Sequence, residues 1–198
     1  MIISIASFKG GVGKTTTALH IAEVLNHKSP TLVLDGDPNE SALAWKGRGK
    51  LSFQVIRENE LTEHAGNFKH IVVDTPARPT TEELKTICTE SDLVIIPSQP
   101  DALSLDALIK LVTSLKEIKA KNFKVLFTLV PPLSHAGREA KELLKTLDIP
   151  FFKTEIYRRA VCGRAALKGT TVNEMKDGKD ALKEFQAVVR EILSYEQK

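Results

Sequence analysis

The sequence predicts an α/β protein built on a parallel, doubly wound sheet flanked by helices. Three observations predict it. Short apolar runs rich in β-branched residues recur along the 198 residues, helical patterns separate them, and several runs end on an acid or a proline. Strands buried on both faces read as continuous apolar runs rather than as alternating ones. Their interleaving with helices makes the sheet parallel and covers it on both sides.

The first run, Ile2–Ser7, is followed by a helix over residues 17–27, where Ala18, Ile21, Ala22 and Leu25 recur at helical spacing. Thr31–Asp35 is a second strand, ending on an acid. A helix over 40–46 and a shorter strand over 52–56 come next. The stretch 70–74 (His-Ile-Val-Val-Asp) repeats the acid-terminated form, and Thr81–Glu90 is helical. Strands over 92–97 and 124–130 bracket a helix over 103–119, and a further helix covers 137–147. The last helix, 180–195, gathers Ala181, Leu182, Phe185, Val188, Val189, Ile192 and Leu193 on one face. Its polar face mixes Asp180, Glu184, Glu191 and Glu196 with Lys183 and Arg190. That face lacks the basic bias that favours anionic lipid, so the helix is expected to pack on the domain rather than lie on a membrane.

The length suits a single domain over 1–198 with a sizeable core. No run of about 18 apolar residues could span a bilayer, and no charged-then-apolar leader follows Met1, so a cytoplasmic protein is expected. Cys88 and Cys162 are too few and too far apart for a disulfide scaffold or a zinc cluster. Net charge is only +3, yet residues 153–168 hold Lys153, Arg158, Arg159, Arg164 and Lys168 against the single acid Glu155. A second basic cluster comprises Lys116, Lys119, Lys121 and Lys124, with Glu117 among them.

Between the first strand and helix lies Lys9-Gly10-Gly11-Val12-Gly13-Lys14-Thr15-Thr16. A glycine-rich turn from strand to helix points several N–H groups at one spot, and the positive end of the helix dipole adds to them, so the spot suits phosphate. Residues 10–16 form the candidate cradle. Lys14 would reach the β- and γ-phosphates, and the Thr15 hydroxyl would ligate Mg²⁺. The usual phosphate-loop pattern has glycine where Phe8 stands; Lys9 follows instead.

Lys-Gly-Gly-x-Gly-Lys-Thr resembles the variant Walker A motif of the ParA/MinD group of ATPases, with small partition ATPases and carboxysome-positioning relatives the nearest members. The resemblance extends, in motif order, over nearly the whole chain. It implies a deviant Walker A P-loop fold, with ATP and Mg²⁺ as ligands. It also implies an ATP-sandwich homodimer in which Lys9 reaches the partner's phosphates. Asp35-Gly36-Asp37-Pro38 matches the family's Asp-x-Asp-Pro motif. Asp37 would then direct the attacking water, and Asp35 would stand near the metal; Asn39 departs from the glutamine of many members. Asp74-Thr75-Pro76 has the Walker B form, with Asp74 contacting Mg²⁺ and residues 75–78 sensing the γ-phosphate. Pro97-Ser98-Gln99-Pro100 resembles a loop that contributes to dimer contacts, or else is two prolines ending a strand. The adenine pocket is expected near 128–132 and Ile156. Nitrogenase iron protein also belongs to the group, but neither cysteine falls where a cluster ligand would.

In ParA-type relatives basic residues of the C-terminal third bind nonspecific DNA. The matching residues here are Arg158, Arg159, Arg164 and Lys168, unless Arg158 serves the nucleotide. The implied protein is nucleoid-associated, with hydrolysis stimulated by a ParB-like or other adaptor, and it partitions or positions a plasmid, carboxysome or other cargo. The alternatives are a MinD-like membrane-associated ATPase and a metabolic enzyme of the dethiobiotin or cobyrinate synthase type.

Overall fold

The computed structural model describes residues 1–63 and 68–196, leaving out the side chains of 62, 63 and 196. The expected place of Glu196 on the polar face of the last helix therefore lies outside the described residues. Six strands form one sheet: β1 Ile2–Ser7, β2 Thr31–Asp35, β3 Gln54–Arg57, β4 His70–Ala77, β5 Leu93–Ser98 and β6 Phe123–Phe127. Their order is β3-β2-β4-β1-β5-β6, and every pairing is parallel. Seven α-helices accompany them among the described residues: α1 Lys14–Asn26, α2 Ser41–Gly47, α3 Thr81–Glu90, α4 Ala102–Glu117, α5 Ala136–Thr146, α6 Ala160–Leu167 and α7 Lys179–Glu196.

Alternate strand residues feed two cores, as the period of a strand requires. Ile3, Ile5, Val33 and Val72 join α1 and α7 in one; Val94, Ile96 and Val125 join α3, α4 and α5 in the other. All strand C-termini point the same way, so Ser7, Asp35, Asp74 and Ser98 reach one edge of the sheet. Ligands of open α/β sheets bind at that edge.

The sequence-derived boundaries shift most at three places, each with an identifiable cause. α1 starts at Lys14 rather than at residue 17, because Gly13 caps it in the left-handed region at φ 85°. β4 continues past Asp74 to Ala77, which pairs with Ser7 after a register shift in β1. β6 stops at Phe127 rather than at 130, because the Thr128 hydroxyl donates to the Val12 carbonyl at 2.7 Å and Leu129 takes φ 51°. Within the basic segment 153–168, α6 is an element that the sequence reading did not anticipate.

The apolar face of α7 is spent in the core: Phe185, Val188, Val189 and Ile192 are buried against the α1 side. No described helix is long and apolar enough to cross a membrane. His20 of α1 joins these layers. Its Nδ1–H donates to the Thr16 carbonyl at 2.7 Å, and its Nε2 accepts the Val172 N–H at 3.1 Å. The ring stacks on Phe185 at 4.5 Å and stands edge-on to Trp45 at 6.0 Å.

Burial pushes the His20 imidazole down to about 4. The folded ring therefore refuses a proton that the unfolded ring takes below its usual value of 6.5, so this contribution to stability is complete above pH 6.5 and declines as pH falls toward 4. Between pH 7.5 and 5 the loss amounts to about 2 kcal/mol. A urea titration followed by Trp45, the single tryptophan, is expected to show it. His20→Phe should lower stability at pH 7.5 and flatten the slope between those two pH values. An unaltered slope would remove His20 as its source.

Candidate nucleotide-binding site

The loop between β1 and α1 takes the shape its glycines permit. Gly11 and Gly13 sit at φ 76° and 85°, where a β-carbon is strained, and no atom lies within 4 Å of a β-carbon placed on Gly10, Gly11 or Gly13. The open side of the loop is therefore free for a ligand of phosphate size. Thr17 N–H donates to the Gly13 carbonyl at 2.8 Å, so the helix begins at the loop and presents its unpaired N–H groups there.

Four sequence-predicted residues converge behind it. The Lys14 amine lies 3.7 Å from the Asp37 carboxylate, both side chains less than a tenth exposed. The Thr15 hydroxyl donates to Asp74 Oδ2 at 2.6 Å, whereas Asp74 Oδ1 is buried with no hydrogen-bond partner. Burial pushes the Asp74 carboxyl up to about 6, against the opposing pull of the Thr15 hydroxyl and the Lys14 charge. A buried carboxylate with an idle oxygen beside a threonine hydroxyl is a donor set of hard oxygens, the chemistry that suits Mg²⁺. The residues fit that ion.

Asp35, expected to stand near the metal, is held by backbone N–H groups. Its Oδ1 accepts the Asp37 N–H at 3.2 Å and its Oδ2 the Leu43 N–H at 2.9 Å, so it shapes the 35–37 turn and anchors the start of α2. Asp37 Oδ1 in turn accepts both the backbone and side-chain N–H groups of Asn39, at 2.9 and 2.8 Å. Thr75 donates to the Ile5 carbonyl at 2.9 Å, and Arg78, at φ 57°, bonds the Phe8 carbonyl at 3.1 Å. The 75–78 segment thus rests on β1 and the phosphate loop.

A cavity of about 620 Å³ opens beside Gly13 and Thr16 and runs between Thr128, Ile156 and the start of α6. Of the expected neighbourhood of the base, 128–132 and Ile156, Thr128, Leu129 and Ile156 are on its wall. Sequence reasoning missed Thr17, Tyr157, Cys162 and Phe185, which also line it. Thr17 and Tyr157 adjoin Thr16 and Ile156, whereas Cys162 and Phe185 are distant in sequence and carry no local signal. Burial pushes the Cys162 thiol up to about 11, so it serves as an apolar wall rather than a nucleophile. Gln99 bridges the parts: its amide donates to the Gly11 carbonyl at 3.2 Å and its oxygen accepts from Arg158 at 3.4 Å.

The four basic residues of the C-terminal third separate. Arg158 and Arg159 both line the cavity, and Arg158 also donates to Gln99. Arg159 is held by Glu184 through two bonds of 2.9 and 2.7 Å, and Arg164 pairs with Asp177. Lys168 is exposed at the end of α6. Lys9 turns back on its own chain, its amine 2.7 Å from the Ser104 hydroxyl and 3.3 Å from Asp101 at the start of α4.

A glycine loop at the head of α1, backed by strand-terminal acids on a parallel sheet, defines a nucleotide-binding protein of the P-loop class. The chain belongs to the CobQ/CobB/MinD/ParA nucleotide-binding-domain family, whose model matches residues 3–172. It is 31% identical over 201 residues to the maintenance of carboxysome distribution protein A of Gloeobacter kilaueensis, covering 96% of this chain and 93% of that one. It is also 31% identical over 194 residues to the protein ParA of Rhizobium radiobacter, covering 88% and 86%. Its fold matches the ATP complex of a Cyanothece McdA variant with a TM-score of 0.74, at 19% identity and over 98% of this chain and 96% of that one.

Proposed function

We propose that this chain is a Mg²⁺-dependent ATPase of the ParA/McdA type, which pairs with a second copy when ATP is bound and positions a large cargo along nonspecific DNA. The observation that carries the reading is the idle, buried Asp74 Oδ1 beside the Thr15 hydroxyl, behind a loop already shaped for phosphates. Thr15 and Asp74 would hold Mg²⁺, and when bound the ion neutralises phosphate charge. Lys14 exchanges its contact with Asp37 for the phosphates, which leaves the Asp37 carboxylate available to orient water. Such a site needs positioning and charge neutralisation rather than covalent chemistry. The base and ribose occupy the cavity beside Thr16, with Arg158 at its mouth.

DNA contact then rests on fewer residues than the basic segment offers. Arg159 is held by the largely buried Glu184 and Arg158 serves the nucleotide, so the phosphate contacts fall to Arg164, whose pair with the exposed Asp177 gives way to phosphate, and to Lys168 at the end of α6. An ATP-dependent pair doubles them, and such contacts are salt-sensitive because counterions are released. Sedimentation with random-sequence DNA tests this. Binding is expected to require ATP, to weaken at least about tenfold in Arg164→Ala/Lys168→Ala, and to fall steeply with salt. Arg158→Ala should weaken ATP instead. DNA binding that survives the double substitution unchanged moves the surface elsewhere.

The carboxysome and ParA relatives support cargo positioning equally. An adaptor bound to the cargo would stimulate hydrolysis and release the ATPase from the nucleoid.

A further inference from the structure

On one face of the sheet the described residues leave part of the central strands only half-buried. The connection from β3 to β4 runs from residue 58 to residue 69, and among its described residues the regular part is a 3-10 helix, Glu58–Glu63. Beneath it Leu32, Leu34 and Ile56 form a core cluster of their own, with Ile71 and Val73 of the central strand only half-buried. Parallel strands are normally covered on both faces, and β5, next but one to β4, is buried throughout. Between the 3-10 helix and α3 a groove of about 360 Å³ lies open, floored by Ile2, Ser4, Leu34, Ile71 and Val73.

Its rim is acidic. Glu58 stands on one wall, and Glu82, Glu83 and Glu90 stand along α3 on the other, all four exposed. No lysine, arginine or histidine is among the described residues that line it. From Ile71 to Pro76 the floor extends five residues, about 16 Å at the rise of a strand, which equals three turns of α-helix. We propose that this groove docks a basic amphipathic helix of a partner protein, its apolar stripe on Ile71 and Val73 and its lysines or arginines against the glutamates. The dimensions and the charge specify that occupant together. Helix-in-groove recognition uses an apolar stripe at i, i+3, i+4 and i+7, and rim charges set partner choice.

The groove ends at the nucleotide site. Thr75 and Pro76, which follow Asp74, line its upper end with Gly36, which separates Asp35 from Asp37. A β-carbon on Gly36 would stand 3.1 Å from the Glu58 carboxylate and 3.4 Å from the Asp74 carbonyl. A cation drawn to Glu58 therefore acts within one residue of both acids. This coupling rests on the ATPase reading; the docking does not, so docking is measured without nucleotide.

The probe is a fluorescent 14-residue helical peptide of leucine and lysine with leucine at i, i+3, i+4 and i+7, compared with its leucine and glutamate counterpart. The lysine peptide is expected to bind and to slow hydrogen exchange over residues 71–76 and 82–91. Glu82→Lys/Glu90→Lys should weaken it at least tenfold. Thr86→Trp, which fills the groove from the exposed face of α3, should abolish it while the urea midpoint stays in place. Should that variant fold poorly, the charge-reversed pair, exposed at both positions, decides alone. The proposal is overturned by the absence of binding, by equal binding of the glutamate peptide, or by protection located elsewhere. Self-association of the protein alone that Thr86→Trp removes would assign the groove to a second copy and overturn it as well.

Discussion

Asp37→Ala is expected to lower ATP turnover at least about a hundredfold, the scale found when a group aimed at the transition state is removed, while nucleotide affinity holds or rises. The two effects separate because of what Asp37 touches. Its carboxylate lies 3.7 Å from the Lys14 amine, and both groups are buried. An arriving triphosphate takes over that cation, so the protein loses no phosphate contact when Asp37 is absent. It also loses a negative charge that repels the phosphates in a site with little water to screen it. Affinity therefore does not fall. Turnover falls because neither neighbouring aspartate is placed to take the role: both Asp35 oxygens accept backbone N–H groups, and Asp74 accepts from Thr15 and in the proposed site would hold the metal.

Asp37→Asn sharpens the test, because an amide oxygen can still accept from Asn39 and keep the turn. It should be nearly as slow as the alanine variant. The measurement is single-turnover hydrolysis beside equilibrium binding of a fluorescent ATP analogue. Turnover within threefold of the parent, or an affinity loss matching the rate loss, would assign Asp37 to the turn alone.

How much of this was legible beforehand depends on how locally each feature is encoded. The strands showed as runs such as Val94-Ile95-Ile96 because burial on both faces demands apolar residues at every position. The phosphate loop showed because Gly11 and Gly13 need backbone angles that only glycine takes freely, and because Thr15 must follow Lys14 to meet Asp74. α4 began one residue before its expected start, at Ala102, since Asp101 accepts the Ser104 N–H at 3.0 Å as its cap. That signal was present and could have been read.

α6 had none to offer. It is eight residues long, and its N-cap, Arg159, makes no side-chain capping bond. Arg159 was read as surface because its partner, Glu184, is far off in sequence. Pairing at such separations leaves no periodicity to detect. The same reason hid part of the walls of the nucleotide cavity, such as Cys162 and Phe185, and the groove above β4 corresponds to no motif.

Lys9→Ala is expected to abolish ATP-dependent pairing altogether, leaving a monomer that binds ATP with its affinity changed only a few-fold. Within one chain the Lys9 amine contacts Ser104 and Asp101 rather than the phosphate cradle, so the monomer's own hold on ATP does not depend on it. To serve a partner's nucleotide the amine must leave these two groups. The Lys9 and Asp101 side chains are 31% and 45% exposed, and an ion pair so wet is worth under about 1 kcal/mol. A triphosphate brought within reach by a second subunit outcompetes it, because several negative charges replace one. Asp101→Asn should therefore change the pairing constant by no more than about fivefold, the equivalent of that energy, and Lys9→Ala should remove pairing even at high protein concentration. Light scattering with a nonhydrolysable ATP analogue reads both. A Lys9→Ala variant that still doubles its mass with the analogue would mean that the two nucleotides are not bridged by this side chain. The family resemblance would then extend to the fold and the phosphate loop but not to the switch.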